Sequence, residues 1–274
     1  MTRDRAQPRA PITWLSIVGY LLALVTALPI LWMVLAAFRP KGDVFALTWP
    51  TNLTTENFTY VLTEVPFPVY LGNSALVSIV VTVIALFLHT MAGYALARLR
   101  FPGRGLAFGL VIATLLISLP VILVPLFMVT EVLGMVNTYA GLIVPSIFNA
   151  FGVFLLRQFY LSLPTDLEDA GRLDGCGHLR LYWHIVLPLS RPIMASLAVL
   201  FFLANWNSFV WPLTVAQDEN LRVVQVGINS LQGQYGQDYQ YVLAGSVLAA
   251  IPTVIVFLIG QRRIVDSLKT TGLK

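Results

Sequence analysis

The chain is 274 residues long, 57% hydrophobic and only 11% charged, with a mean hydropathy of +0.79, whereas a soluble domain is about 25% charged. Such a composition excludes an ordinary water-soluble enzyme and points to an integral membrane protein. The formal charge of +4 and the pI of about 9.3 come from arginines and lysines spread along the edges of apolar runs. They read as a topology signal and not as a nucleic-acid surface.

A helix rises about 1.5 Å per residue, so a hydrocarbon core of about 30 Å needs roughly 20 mainly apolar residues. Six stretches meet that requirement: Thr13–Phe38, Val69–Ala97, Gly105–Thr130, Tyr139–Leu156, Pro192–Leu213 and Tyr241–Gln261. They divide the chain into a tail over 1–12, a six-helix membrane domain over 13–261 and a second tail over 262–274. The expected fold is therefore all-α, with no soluble catalytic domain. The first stretch follows Met1-Thr2-Arg3-Asp4-Arg5, a basic start like that of a signal peptide. Its apolar run is too long for that role and shows no clear Ala-x-Ala cleavage site, so it is expected to be retained.

Between the first two stretches, Asn52-Leu53-Thr54 and Asn57-Phe58-Thr59 fit the glycosylation pattern and are read as plain loop and cap residues. His89 is the ionisable residue well inside a span. With no acidic partner in a span, it is expected to be neutral and hydrogen-bonded and not part of a proton relay.

Lys and Arg in short connectors mark the cytoplasmic side. The tail before the first span carries Arg3, Arg5 and Arg9, and the second connector Arg98, Arg100 and Arg104. The fourth connector carries Arg157, Arg172, Arg180 and Arg191, and the second tail Arg262, Arg263, Lys269 and Lys274. That is fourteen of the seventeen basic residues; the opposite side keeps Arg39, Lys41 and Arg222. Both termini and the connector over 157–191 are thus expected in the cytoplasm.

That fourth connector is the most polar part of the chain. Thr165-Asp166-Leu167-Glu168 matches a capping box, so a helix should begin here with an acidic first turn of Asp166, Glu168 and Asp169. Leu167, Ala170, Gly171 and Asp174 fall on one helical stripe of mostly small residues, a surface that another protein could approach closely. Gly175 and Gly177 should end the helix, with a second one, "HLRLYWHIV", running to a stop at Leu187-Pro188. An amphipathic surface helix would carry broad apolar and basic faces, which this one lacks. Cys176 is the single cysteine, so no intrachain disulfide forms, and no Cys/His set has zinc spacing.

In the fifth stretch, Asn205-Trp206-Asn207 places two amides and an indole in a span. These, with Asn73, are candidates for a translocation path, since amides and aromatic rings bond and stack on sugars. Interhelical hydrogen bonding is the competing use, and the favoured one. In the last stretch Gly245-Ser246 offers a nucleophile without an obvious activating histidine, so an intramembrane hydrolase is a weak reading. The chain has no G-x-x-x-x-G-K-[ST], and none of Lys41, Lys269 and Lys274 follows a glycine, so it is not expected to bind nucleotide phosphates.

The segment Asp169-Ala170-Gly171, three residues, Gly175, nine residues and Ile185-Val186-Leu187-Pro188 resembles the EAA loop, E-A-A-x3-G-x9-I-x-L-P, of permease subunits in bacterial binding-protein-dependent ABC importers. Nearly all of the chain is similar to the carbohydrate branch and its shorter, maltose-type subunit. The supporting stretches are "ENF" at Glu56–Phe58, "NSALVS" at Asn73–Ser78, "ALARLRFPGRG" at Ala95–Gly105, "FFLANWNSFVWPL" at Phe201–Leu213 and the tail Gln261–Lys274. Asp169 stands where the family usually has Glu and Gly171 where it has Ala. Gly costs a helix about 1 kcal/mol relative to Ala.

The resemblance implies a type I importer permease with six membrane helices, multi-pass in a bacterial cell membrane. It would pair with a second homologous permease, two ABC ATPase subunits and an extracytoplasmic substrate-binding protein. ATP and Mg would be used by the ATPase partners, and no cofactor bound by this chain. It further implies that the helix near Asp166–Leu173 is a cytoplasmic coupling helix. Asp166, Glu168, Asp169, Ala170, Gly171, Asp174, Gly175, Ile185, Leu187 and Pro188 would then form the ATPase-coupling loop. The tail resembles family tails that reach toward the ATPase dimer, and equally suits a solvated basic end. An ion-coupled secondary transporter of small polar solutes is the rival; it would be expected to carry intramembrane acids.

Overall fold

The computed structural model describes residues 14–41, 44–45, 48, 52–234 and 238–271, and the side chains of these except 15, 233–234 and 262–271. The first tail, with Arg3, Arg5 and Arg9, and Lys274 lie outside the described residues, as do the side chains of Arg262, Arg263 and Lys269. Among the described residues all regular structure is helical: α1 Trp14–Ala37, α2 Glu56–Thr63, α3 Phe67–Arg98, α4 Arg104–Leu115, α5 Leu119–Val132, α6 Tyr139–Ile147 and α7 Ala150–Ser162. The polar loop follows as α8 Asp166–Leu173, α9 His178–Leu181, a π-turn Tyr182–Val186 and α10 Leu187–Leu189. Then come α11 Arg191–Trp206, α12 Val210–Val215, α13 Val224–Gln234 and α14 Tyr239–Thr271.

The 32 residues of α3 make an axis about 48 Å long on which the bundle is built. Its long apolar run would expose every backbone polar group to lipid in any form but a helix. Val77, Val81 and Ala85 of α3 pack with Leu142 of α6, Leu156 of α7, and Leu197 and Phe201 of α11 in one core. A second core at the α2 end joins Phe67 and Tyr70 to Val61, Trp206, Leu231 and Ala244. At that end Lys41 pairs with Asp238 at 2.7 Å. The shared hydrogen bond raises the pKa of the Lys41 ammonium and lowers that of the Asp238 carboxyl. By contrast α1 lies against α14 and leaves Leu21, Leu24 and Ile30 more than half exposed, as a lipid-facing helix would.

Among the described residues four helices are long and apolar enough to cross a membrane, or up to six if each of two bent pairs is one span. α1 covers the first expected span over Trp14–Ala37, and the second and last sit within α3 and α14, although α14 continues about ten residues past Gln261. The others differ from straight rods. Expected span Gly105–Thr130 is α4 and α5 at 107° to one another. The ring of Pro120, with no N–H to give, stops the helix from running through Leu116, and Ser118 takes an extended conformation at the corner. Expected span Tyr139–Leu156 pauses at Phe148-Asn149 and extends to Ser162; the Asn149 side chain caps the restart by accepting the Phe151 amide at 2.9 Å. His89, buried on α3, accepts the Asn149 amide at 3.4 Å through Nε2 and meets Phe201 edge-on, which is the expected hydrogen-bonded use.

Expected span Pro192–Leu213 ends early, at Trp206. The Asn205 and Asn207 side chains bond back to the Phe201 and Leu203 carbonyls at 2.8 Å, competing with the helix ladder at its last turn. The chain then turns into α12, whose Trp211 donates to the Gly141 carbonyl on α6 at 2.9 Å.

Candidate functional site

The loop between α7 and α11 is helix, turn, helix. α8 starts where expected, but the capping box does not form. Thr165 is already helical, with φ −69 and ψ −26, and its side chain makes no cap bond. The Glu168 carboxylate is drawn elsewhere, which is the physical reason. It is 5% exposed and lies 3.1 Å from Nε of Arg98, the last residue of α3, and 3.6 Å from Arg172. Arg98 also donates to the Leu163 carbonyl, so one guanidinium holds both the entry to α8 and its buried carboxylate. Asp169, by contrast, pairs with Arg172, at 3.3 Å, on the outer surface.

The turn that ends α8 satisfies its last carbonyls in the Schellman pattern. Gly175 has φ +78; its N–H donates to Arg172 at 3.0 Å, and the Cys176 N–H donates to Gly171 at 2.9 Å. The second leg does not stop at Leu187-Pro188. Pro188 has no N–H, and the π-turn, in which the Leu187 amide bonds to Tyr182, carries the leg past it as far as Leu189. The corner with α11 comes at Ser190, where the helix axes bend by 72°.

Gly171 makes its close approach inside this chain and not on an outer surface. A Cβ there would sit 2.4 Å from Cδ2 of the buried Leu181 and 3.0 Å from Cδ1 of Ile185. The small residue is what lets the two legs touch. The loop's outer surface is instead Asp166, Asp169, Ala170, Leu173, Asp174 and, past the turn, Leu179. Leu173 is 90% exposed and Leu179 70%. Ile185, Leu187 and Pro188 are partly covered on the second leg. Of the ten loop residues singled out in the sequence, the structure brings all into one unit, with Glu168 and Gly171 turned inward. Arg98 was missed: nothing in its local sequence points to a residue 70 positions on.

The translocation-path candidates separate. Asn73 is 4% exposed and fully used: it donates to the Asn220 and Arg222 carbonyls at 2.7 and 2.9 Å and accepts from the Tyr139 hydroxyl at 2.7 Å. Trp206 is 2% exposed and donates to Ala249 at 3.1 Å. Both bond across to other elements of this chain, the competing interhelical use. Asn73→Ala would strand two carbonyls and a hydroxyl at a cost of about 1–3 kcal/mol. Thermal unfolding in detergent is expected to shift down accordingly. Asn205 is half-buried and Asn207 exposed, its Oδ1 accepting from Gln225 at 3.2 Å, so these two stay near a surface. Ser246, the weak nucleophile candidate, donates to its own helix at Val242.

Residues 89–268 match the family of binding-protein-dependent transport system inner membrane components. The chain is similar to the arabinooligosaccharides transport system permease protein AraQ of Halalkalibacterium halodurans, 37% identical over 96% of this chain and 97% of that one. It is also similar to the lactose transport system permease protein LacG of Rhizobium radiobacter, 30% identical over 90% and 91%. Among solved structures it resembles a bacterial ABC transporter involved in the import of the acidic polysaccharide alginate, with a TM-score of 0.79 at 22% identity, over 94% of this chain and 99% of that one. The family leaves neither the ion-coupled carrier nor the intramembrane hydrolase as a reading. With a family match over more than half of its length and near full-length relatives, this multi-pass helical chain belongs to the binding-protein-dependent transport system inner membrane component family.

Proposed function

We propose that the chain is one of two permease subunits of an ATP-driven importer for an oligosaccharide or sugar derivative, and that the loop Leu163–Leu189 is its coupling element. ATP and Mg bind on two partner ATPases, each of which seats one permease's coupling helix; a second, homologous permease completes the path. A substrate-binding protein delivers cargo on the opposite face. The termini and the coupling loop lie in the cytoplasm, following the arginine distribution, and the complex resides in a bacterial cell membrane. The sugar class rests on the names of the relatives, which include arabinooligosaccharide, lactose and diacetylchitobiose systems.

The observation that carries the coupling assignment is the two-faced α8. Its inner side is closed by Glu168 and Gly171, while Leu173 projects almost wholly free beside a rim of Asp166 and Asp169. A leucine so exposed on a polar loop is an anchor for a partner pocket, and seating it contributes about 1.5–3 kcal/mol. Leu173→Asp is therefore expected to weaken ATPase association by tenfold or more, about 1.4 kcal/mol per decade. Co-purification of the ATPases with the tagged permease and ATP-dependent uptake into proteoliposomes measure it. Unchanged values in both would sink the assignment.

The second permease packs on α4 and α5, a reading supported by Leu116, Val121, Val124 and Val132, each two-thirds or more exposed on this bent pair. Asn205 and Asn207 are the remaining candidates for cargo contact.

A further inference from the structure

The loop runs on through α9, the π-turn and α10 into α11, and its side chains tie it to α3 in two places. The π-turn is tied through Tyr182, whose hydroxyl lies 2.8 Å from Thr90 Oγ1. α8 itself is tied by the ion pair between Glu168 and Arg98 at the end of α3. From Arg98, α3 runs the full height of the bundle to Asn73 and Tyr70, whose side chains bond to the segment Glu219–Arg222 at the far end.

We infer that Arg98 and Glu168 are positioning residues that form a strut, making the end of α3 move with the coupling helix when the ATPases close. This rests on the coupling reading above. Both side chains are about nine-tenths buried, at 10% and 7% exposure, so the pair is little screened by water or salt. The pair is a charge contact flanked by two more: Arg98 also donates to the Leu163 carbonyl, and Arg172 lies 3.6 Å from the other Glu168 carboxylate oxygen. A carboxylate held between two guanidiniums, one on each helix, resists sliding of α8 along α3. The outer surface of α8, with Leu173 and Asp169, takes no part in the pair, so docking and transmission use opposite faces of one short helix.

The test uses the complete complex in proteoliposomes, in a Cys176→Ser background, with spin labels replacing the exposed Arg100 beside α3 and the exposed Leu167 on α8. In the otherwise unaltered protein the label-to-label distance is expected to be the same with Mg-ADP and with Mg-ATP trapped by vanadate. In Glu168→Gln and in Arg98→Gln it is expected to shift on trapping by about 1–2 Å, the size of helix displacements at switching interfaces. The double variant should match a single one, because residues acting as one unit are not additive. A distance that changes with nucleotide in the unaltered complex, that stays fixed in Glu168→Gln, or that shifts additively in the double variant overturns the strut. Failure of the coupling reading looks different: Leu173→Asp would keep its ATPases. Failure of the strut alone leaves Leu173→Asp dissociated while Glu168→Gln behaves like the unaltered complex.

Discussion

Gly175→Pro is expected to abolish ATP-dependent uptake and to release the ATPase subunits from the permease. The backbone at Gly175 is left-handed, at φ +78, and a proline ring fixes φ near −65°. The substitution also removes the N–H that donates to Arg172 at 3.0 Å, and with it the geometry that lets Cys176 bond to Gly171. Together these cost about 3 kcal/mol or more. That is large for a helix of eight residues, which cannot hold itself in water without its caps and its packing. A Cβ alone meets nothing within 4 Å beyond its chain neighbours. Gly175→Ala should therefore give a graded defect set by the left-handed backbone alone, about 1–2 kcal/mol. Uptake into proteoliposomes and retention of the ATPases on affinity purification check both variants. Wild-type behaviour of Gly175→Pro would mean the turn does not hold the loop in its working shape.

How much of this was legible in the sequence differs from element to element. Apolar runs of about 20 residues located α1, α3 and α14 because hydrophobic length is itself the physical requirement. The same criterion failed at the corners, since hydropathy cannot see that Pro120 blocks a ladder bond or that Asn205 and Asn207 compete for one. The loop was legible through Gly175, whose left-handed role is a local property. Its faces were not. Two helical stripes share Gly171: one runs through Leu167, Ala170 and Asp174, the other through Glu168, and spacing alone does not choose between them. The choice is made by Arg98 and by Leu181 and Ile185, whose positions are tertiary. Thr165-x-x-Glu168 looked like a cap for the same reason: a carboxylate three residues into a helix bonds backward only when no buried guanidinium competes for it.

Gly93→Leu is expected to prevent the permease from accumulating as a stable subunit. Gly93 lies where α3 and α7 cross, and a Cβ there would sit 2.9 Å from Cβ of Leu156, 3.1 Å from the Arg157 amide nitrogen and 3.3 Å from the Leu156 carbonyl carbon. None of these atoms can swing aside, because each is backbone or bonded directly to it. Helices in a bilayer gain no hydrophobic advantage over lipid by touching, so their association rests on close van der Waals packing and interhelical bonds. Forcing α7 away would also lengthen the bond from Arg157 Nε to the Leu96 carbonyl, now 3.2 Å. Overpacking costs about 1–3 kcal/mol even where a core can adjust, and an isobutyl group at this crossing has no such room. Gly93→Ala is expected to fold with a lowered unfolding temperature, and Gly72→Ala, with nothing within 4 Å, to unfold no earlier than the unaltered protein, since Ala suits a helix better than Gly. Detergent unfolding curves and membrane expression levels distinguish the three. The survivor, Gly93→Ala, carries a functional consequence too: Arg98 is little more than one turn further along α3, so a displaced helix end draws it off Glu168. Unchanged unfolding and expression in Gly93→Leu would show that the α3–α7 contact is looser than these distances require.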